Sequence, residues 1–238
     1  MSGWARTVSR GLWIGALGLA IYGLRPSRFT VPLPPADPFV DRVVSFERGE
    51  GAGYGMDRLP EVVLGAPHGG GLLAPSQHVL SLGGGGSITL EFVDNEVWDG
   101  PGPDFLVFEN PFFVAPGDDL TQGFFELAKV EVSDDGQTWR EFPQAVETRA
   151  GCAGWRPVLA NVEENERSPT DPTQAGGDPF DLADVGLPVI RFVRITDLDN
   201  TRGSKGTQGF DLDAVAAVHS RRRQDPRPSN HGPRETAP

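Results

Sequence analysis

Ser87-Ile88-Thr89-Leu90-Glu91-Phe92 sets three large apolar residues, Ile88, Leu90 and Phe92, in strict alternation with Ser87, Thr89 and Glu91. A period of two puts one set on a buried face and the other on an outer face, which is the pattern of a half-buried strand. Residues 129–133 repeat it with Val130 and Val132 turned inward. Asp134-Asp135-Gly136 then reverses the chain into Thr138-Trp139-Arg140-Glu141-Phe142, so a hairpin is predicted here, with Trp139 in the core. Working outward, short β-branched and aromatic segments at 42–47, 62–64, 78–82, 105–108, 190–195 and 212–219 predict further strands. Phe105-Leu106-Val107-Phe108 and Ala214-Val215-Ala216-Ala217-Val218 are apolar on both faces, as suits strands buried between two layers. About nine strands cut by Gly and Pro, with almost no helical periodicity, predict an all-β chain: a single β-sandwich of jelly-roll type with long loops.

Composition agrees. Gly (31) and Pro (22) make up 53 of 238 residues, rich in turn formers but short of low-complexity disorder. One cysteine, Cys152, excludes an internal disulfide framework and a cysteine zinc site, and reads as a small buried apolar residue. The net charge of −12 is a sum of three regimes. Residues 1–36 carry four Arg and no acid (+4), residues 37–219 carry 31 acids against 12 bases (−19), and residues 220–238 carry five Arg against two acids (+3). An acidic middle of that size argues against nucleic acid as a partner and leaves cations open.

The two ends differ from the middle. Arg6 and Arg10 precede a 14-residue uncharged apolar run at 11–24, too short for the ~20 residues of a spanning helix and suited to a signal-peptide core. Residues 1–24 are therefore expected to form a hydrophobic helix that is either a cleaved signal peptide or a retained anchor, with membrane contact limited to 11–24. Residues 25–36 contain Val31-Pro32-Leu33-Pro34-Pro35 and predict a stiff linker. The domain is expected over 37–220, and the polar, Pro-rich stretch 221–238 is expected to be a disordered tail.

Enzyme signatures are missing from the sequence: no Gly-x-Ser-x-Gly, no His-Glu-x-x-His, no phosphate-loop lysine. Gly83-Gly84-Gly85-Gly86 reads as a hairpin turn. What stands out is acid in loops. Asp99 and Asp104 bracket Gly100-Pro101-Gly102-Pro103, Glu109-Asn110 close the strand that follows, and Asp211 and Asp213 open the last one. Carboxylates, amide oxygens and loop carbonyls are the donors that calcium selects. Asp99, Asp104, Glu109 and Asn110, helped by Asp211 or Asp213, are therefore the metal candidates. The strand between the two groups is four residues, ~13 Å, so one ion takes either Asp99/Asp104 or Glu109/Asn110. Loops 109–123 and 151–188 are long enough to carry function, and Phe112, Phe113 and Trp155 within them are the candidates for a ligand platform.

Val130-Glu131-Val132-Ser133-Asp134-Asp135-Gly136-Gln137-Thr138-Trp139, followed later by Arg191-Phe192-Val193-Arg194-Ile195, resembles the strand signatures of discoidin-like, galactose-binding-type jelly rolls. Residues 79–92, 99–110, 151–153, 176–187 and 209–215 resemble a family of exported bacterial cell-surface proteins. The resemblance implies a β-sandwich, export and a bound calcium, with glycan or protein ligands taken by loops at one end. The expectation is thus a non-catalytic cell-surface binding or adhesion module, with a glycan or an extracellular matrix protein as partner. A structural surface-assembly protein and a carbohydrate-active hydrolase are the alternatives.

Overall fold

The computed structural model describes residues 37–114, 123–199 and 209–223. The expected N-terminal helix, the linker and the tail beyond Arg223 lie outside them. The described strands are β1 (Arg42–Glu47), β2 (Leu80–Ser81), β3 (Ser87–Glu91), β4 (Asn95–Trp98), β5 (Phe105–Phe108), β6 (Phe112–Phe113), β7 (Gly123–Phe124), β8 (Ala128–Ser133), β9 (Arg140–Glu141), β10 (Asp178–Phe180), β11 (Val189–Ile190), β12 (Phe192–Asp197), β13 (Asp211–Leu212), β14 (Ala214–Ala217) and β15 (Ser220–Arg222). Among the described residues the only helical elements are three single turns of 3-10 helix. One, Glu61–Val63, occupies the position expected to be a strand; Val62 and Val63 are buried from that turn.

The largest sheet has the order β1-β3-β12-β8-β9 and a second has the order β10-β5-β14, all pairs antiparallel. Register follows the alternation in the sequence. Ile88 pairs with Ile195 and Ile195 with Val130; Leu90 pairs with Val193 and Val193 with Val132. All six are fully buried. The outer face of the same strands carries Glu131, which receives two hydrogen bonds from the Arg194 guanidinium at 2.6 and 2.9 Å. Arg194 also lies over the Trp139 ring, 4.0 Å from its centre. Trp139 is therefore on this outer face and not in the core, because it falls one residue out of phase with Phe142.

Phe105 and Val107 of β5 meet the residues of the large sheet in one apolar cluster. Phe142 bridges the layers, edge-on to Phe180 at 4.9 Å and to Phe105 at 5.9 Å. Two antiparallel sheets sharing one core is an arrangement consistent with a β-sandwich. Leu106 and Phe108 point the other way, into a second cluster with Ala214 and Ala216. Its cover is not a third sheet but the long loop itself, through Val158, Ala160 and Ala175. The doubly apolar reading of β5 and β14 is explained by that cover. Small side chains on β14 let the loop come close, and so does Gly177 (φ +72°), where a Cβ would sit 2.6 Å from the Phe108 ring.

Three expectations shift. The tetraglycine does not close a hairpin: β2 pairs with β13 while β3 pairs with β1 and β12, so it carries the chain between sheets. Space demands glycine there, since a Cβ on Gly83 would lie 2.6 Å from the Ala52 nitrogen. The last expected strand is split into β13 and β14 at Asp213. Chain expected to be tail at Arg221 and Arg222 is instead in β15, pairing with Glu96 and Asn95 of β4, and Arg221 binds Glu96 at 2.7 Å.

Candidate metal centre and ligand pocket

β5 runs out at Phe108, and Glu109 follows it into the protein rather than into solvent. The residue is 2% exposed. Strand β13 arrives beside it, and the backbone N–H of Asp211 donates to Glu109 Oε1 at 3.1 Å. Glu109 Oε2 is buried and has no hydrogen-bond partner, and the same holds for Asp211 Oδ1. Glu126, between β7 and β8, completes the group. One carboxylate oxygen from each of Glu109, Glu126 and Asp211 lies within 4.8 Å of the others. Glu126 is itself held by the Gly209 N–H at 3.0 Å.

Two of the three acids resist ionisation. Burial, then the charges of Asp211 and Glu126, push Glu109 well above the usual carboxylate range. Burial likewise pushes Asp211 up to about 6, against hydrogen bonds from Ser81 and Asn110 that favour the charged form. A buried polar atom without a partner is expensive to leave so, and a divalent cation would satisfy both orphan oxygens and the charge at once.

The acids form one wall of a concavity of about 320 Å³. Its other sides include Asn110, Gln77, Tyr54, Phe112 and Phe124. Asn110 is oriented by the Ser76 N–H, which donates to its Oδ1. The Phe112 and Phe124 rings stack with centres 4.9 Å apart across the β6–β7 pair, and Phe124 is 60% exposed. The ridge Pro75–Gln77 parts this pocket from a wider concavity of about 620 Å³ beside His68 and His78.

The structure thus brings Glu109, Asn110, Asp211 and Phe112 together and places the other candidates elsewhere. Asp104 is fully buried at the far end of β5. Its Oδ1 accepts from Gly100 N–H (2.7 Å) and sits 2.8 Å from His219 Nδ1, while Oδ2 accepts from Leu182 N–H (2.7 Å). Asp99 and Asp181 lie close enough to form a second acidic group with it, yet Asp181 already caps a helical turn through Ala183 N–H at 2.9 Å. Asp213 is buried under the paired rings of His68 and His78 and accepts the His68 N–H at 2.8 Å. Burial raises its pKa, and the break between β13 and β14 turns it away from Asp211.

Phe113 alternates with Phe112 and so enters a third apolar cluster with Phe125, Leu127 and Cys152, against which Trp155 packs. Neither Phe113 nor Trp155 lines the pocket. Burial lifts the Cys152 thiol pKa, as expected of an apolar filler. Glu126, Phe124 and Tyr54 went unnoticed in the sequence. Phe124-Phe125-Glu126, two aromatics and an acid just past a long loop, was the available signal.

No protein-family model matches this chain, and no curated protein matches it.

Proposed function

We propose that the chain is an exported, non-catalytic binding module on a jelly-roll β-sandwich of the galactose-binding type, with Ca²⁺ held by Glu109, Glu126 and Asp211. Its partner is a glycan or an extracellular protein that docks at the pocket beside those acids. One observation carries the reading: Glu109 has a buried carboxylate oxygen, Oε2, with no hydrogen-bond partner, and its carboxylate lies within 4.8 Å of those of Glu126 and Asp211. Such a group is stabilised by a cation or by protons. Oxygen donors of this kind, unaccompanied by His or Cys in the cluster, favour a hard cation, calcium over zinc.

A hydrolase is less well supported. A retaining glycosidase keeps its two carboxyl groups ~5–5.5 Å apart and an inverting one ~6.5–9.5 Å apart. The three oxygens here lie within 4.8 Å of one another, close enough for one cation to touch all three, and nothing singles out a pair as proton donor and nucleophile.

The test is thermal melting of the purified chain in chelator and then in millimolar calcium, with elemental analysis. A cation that binds only the folded state adds RT ln(1 + [L]/Kd), about 2.7 kcal/mol at a hundredfold excess over Kd. A midpoint that does not move, with no metal retained, returns these acids to a purely structural role.

A further inference from the structure

We infer that a saccharide carrying a vicinal pair of hydroxyls binds directly to the cation in the 320 Å³ pocket, its ring lying against Phe124 and Phe112. This rests on the calcium reading above and adds the ligand class to it.

Coordination number is the first argument. Calcium takes 6–8 oxygens. Glu109, Glu126 and Asp211 each bring one oxygen within 4.8 Å of the others. Six to eight less three leaves three to five positions for other oxygens. The acids lie on the pocket wall, so those positions open into the concavity. A pair of adjacent ring hydroxyls supplies two oxygens at the separation that neighbouring positions on one cation require.

Shape and polarity are the second. The volume suits one or two sugar rings, at the small end of ligand pockets generally. The pocket also offers amides, Asn110 and Gln77, and an apolar plate made of two stacked rings. Phe124 leaves 60% of its surface exposed although its strand is paired, so it is aromatic area held ready at the pocket mouth. A sugar has the matching anatomy: hydroxyl edges for the cation and amides, and a C–H face for the plate. Three carboxylates against one Ca²⁺ leave the centre with one net negative charge, which favours neutral glycans over anionic ones.

Terbium(III) in place of calcium tests this on the full chain. Its luminescence lifetimes in H₂O and D₂O count the waters on the ion, and methyl glycosides of galactose, mannose and glucose serve as probes, with cyclohexanol as control. The expected result is at least three bound waters, two of them lost on adding a glycoside with a suitable diol and none lost with cyclohexanol. Phe124→Ala should weaken the glycoside about 3- to 10-fold. No bound terbium at all sinks the calcium reading and this one with it. Terbium bound without water leaves calcium standing and overturns the saccharide. Waters that no glycoside displaces overturn it too, as does displacement of terbium by N-acetyl-lysine amide, which would mark a pocket for a cationic side chain.

Discussion

Asp211→Asn separates the two states of the candidate centre, because the substitution acts with opposite signs on them. In the metal-free protein Asp211 titrates at about 6 instead of 3.8, chiefly through burial. A raised carboxylate pKa means that the fold prefers the neutral acid. Its contribution is therefore fully present at low pH and is lost as pH rises from about 4 through about 6. A displacement of that size corresponds to roughly 3 kcal/mol at pH 8. Asn is neutral at every pH and keeps an oxygen to accept from Ser81 and Asn110, so in chelator at pH 8 it should gain about 1–3 kcal/mol over the parent, about 2–10 °C in a domain of this size. Near pH 3.5 the gain should vanish. In calcium the order reverses in its increments. The parent should rise by about 2.7 kcal/mol at a hundredfold excess over Kd, whereas the variant, lacking one of three carboxylates, should rise by much less. Differential scanning fluorimetry across pH, with chelator and with calcium, reads all four corners. A variant less stable than the parent in chelator at pH 8, with an undiminished calcium shift, would refute both the burial argument and the assignment of the ligand.

Asp178→Asn addresses a different buried acid. Asp178 Oδ2 accepts the N–H groups of Gly154 and Trp155, Oδ1 has no partner, and burial raises its pKa to about 7. The parent should lose up to roughly 4 kcal/mol relative to this variant between pH 4 and pH 7, and urea melts at several pH values check it. Asp104→Ala should destabilise by about 2–4 kcal/mol, since it strands the N–H groups of Gly100 and Leu182; its calcium shift should match that of the parent, and losing the shift would move the metal to the other end of β5. Fragment 37–223 should melt as cooperatively as the full chain, because the apolar clusters among the described residues draw only on Phe39 to Val218. A broad or absent transition in fluorimetry would count against those boundaries.

The strand pattern was legible because period two is a local property. Ile88, Leu90, Val130, Val132, Val193 and Ile195 each declare their face, and register then follows from matching faces. The long loop as cover for Leu106 and Phe108 was not legible. Its apolar residues, Val158, Ala160 and Ala175, are scattered among Pro, Glu and Asp and show no period. The candidate site was half legible. Glu109, Asn110 and Asp211 are marked by standing at strand ends, and Phe112 by its loop. Their partners Glu126 and Phe124 come from across β6–β7, a pairing of two residues each that no sequence rule predicts.

What the sequence could not do was sort the acids, since Asp in a turn and Asp on a metal look alike in it. The sorting variable is the supply of backbone N–H groups. Asp135 accepts from Gln137 and Thr138 in the β8–β9 turn, and those bonds, Thr138 first, pull its pKa down to about 2. Asp197 is buried but meets the N–H groups of Gly85, Asp199 and Phe210 at 2.7–2.9 Å, which ties three loops together. Asp104 does the same for its end of β5. In each, the loop has been folded around the carboxylate and both of its oxygens have a hydrogen-bond partner. Glu109 and Asp211 receive less than they can accept, and their pKa values move the other way. Acids left short of donors at the wall of a concavity cost the fold stability until something fills the deficit. The chemistry of that deficit, oxygen lone pairs and negative charge, is the chemistry that a calcium ion satisfies.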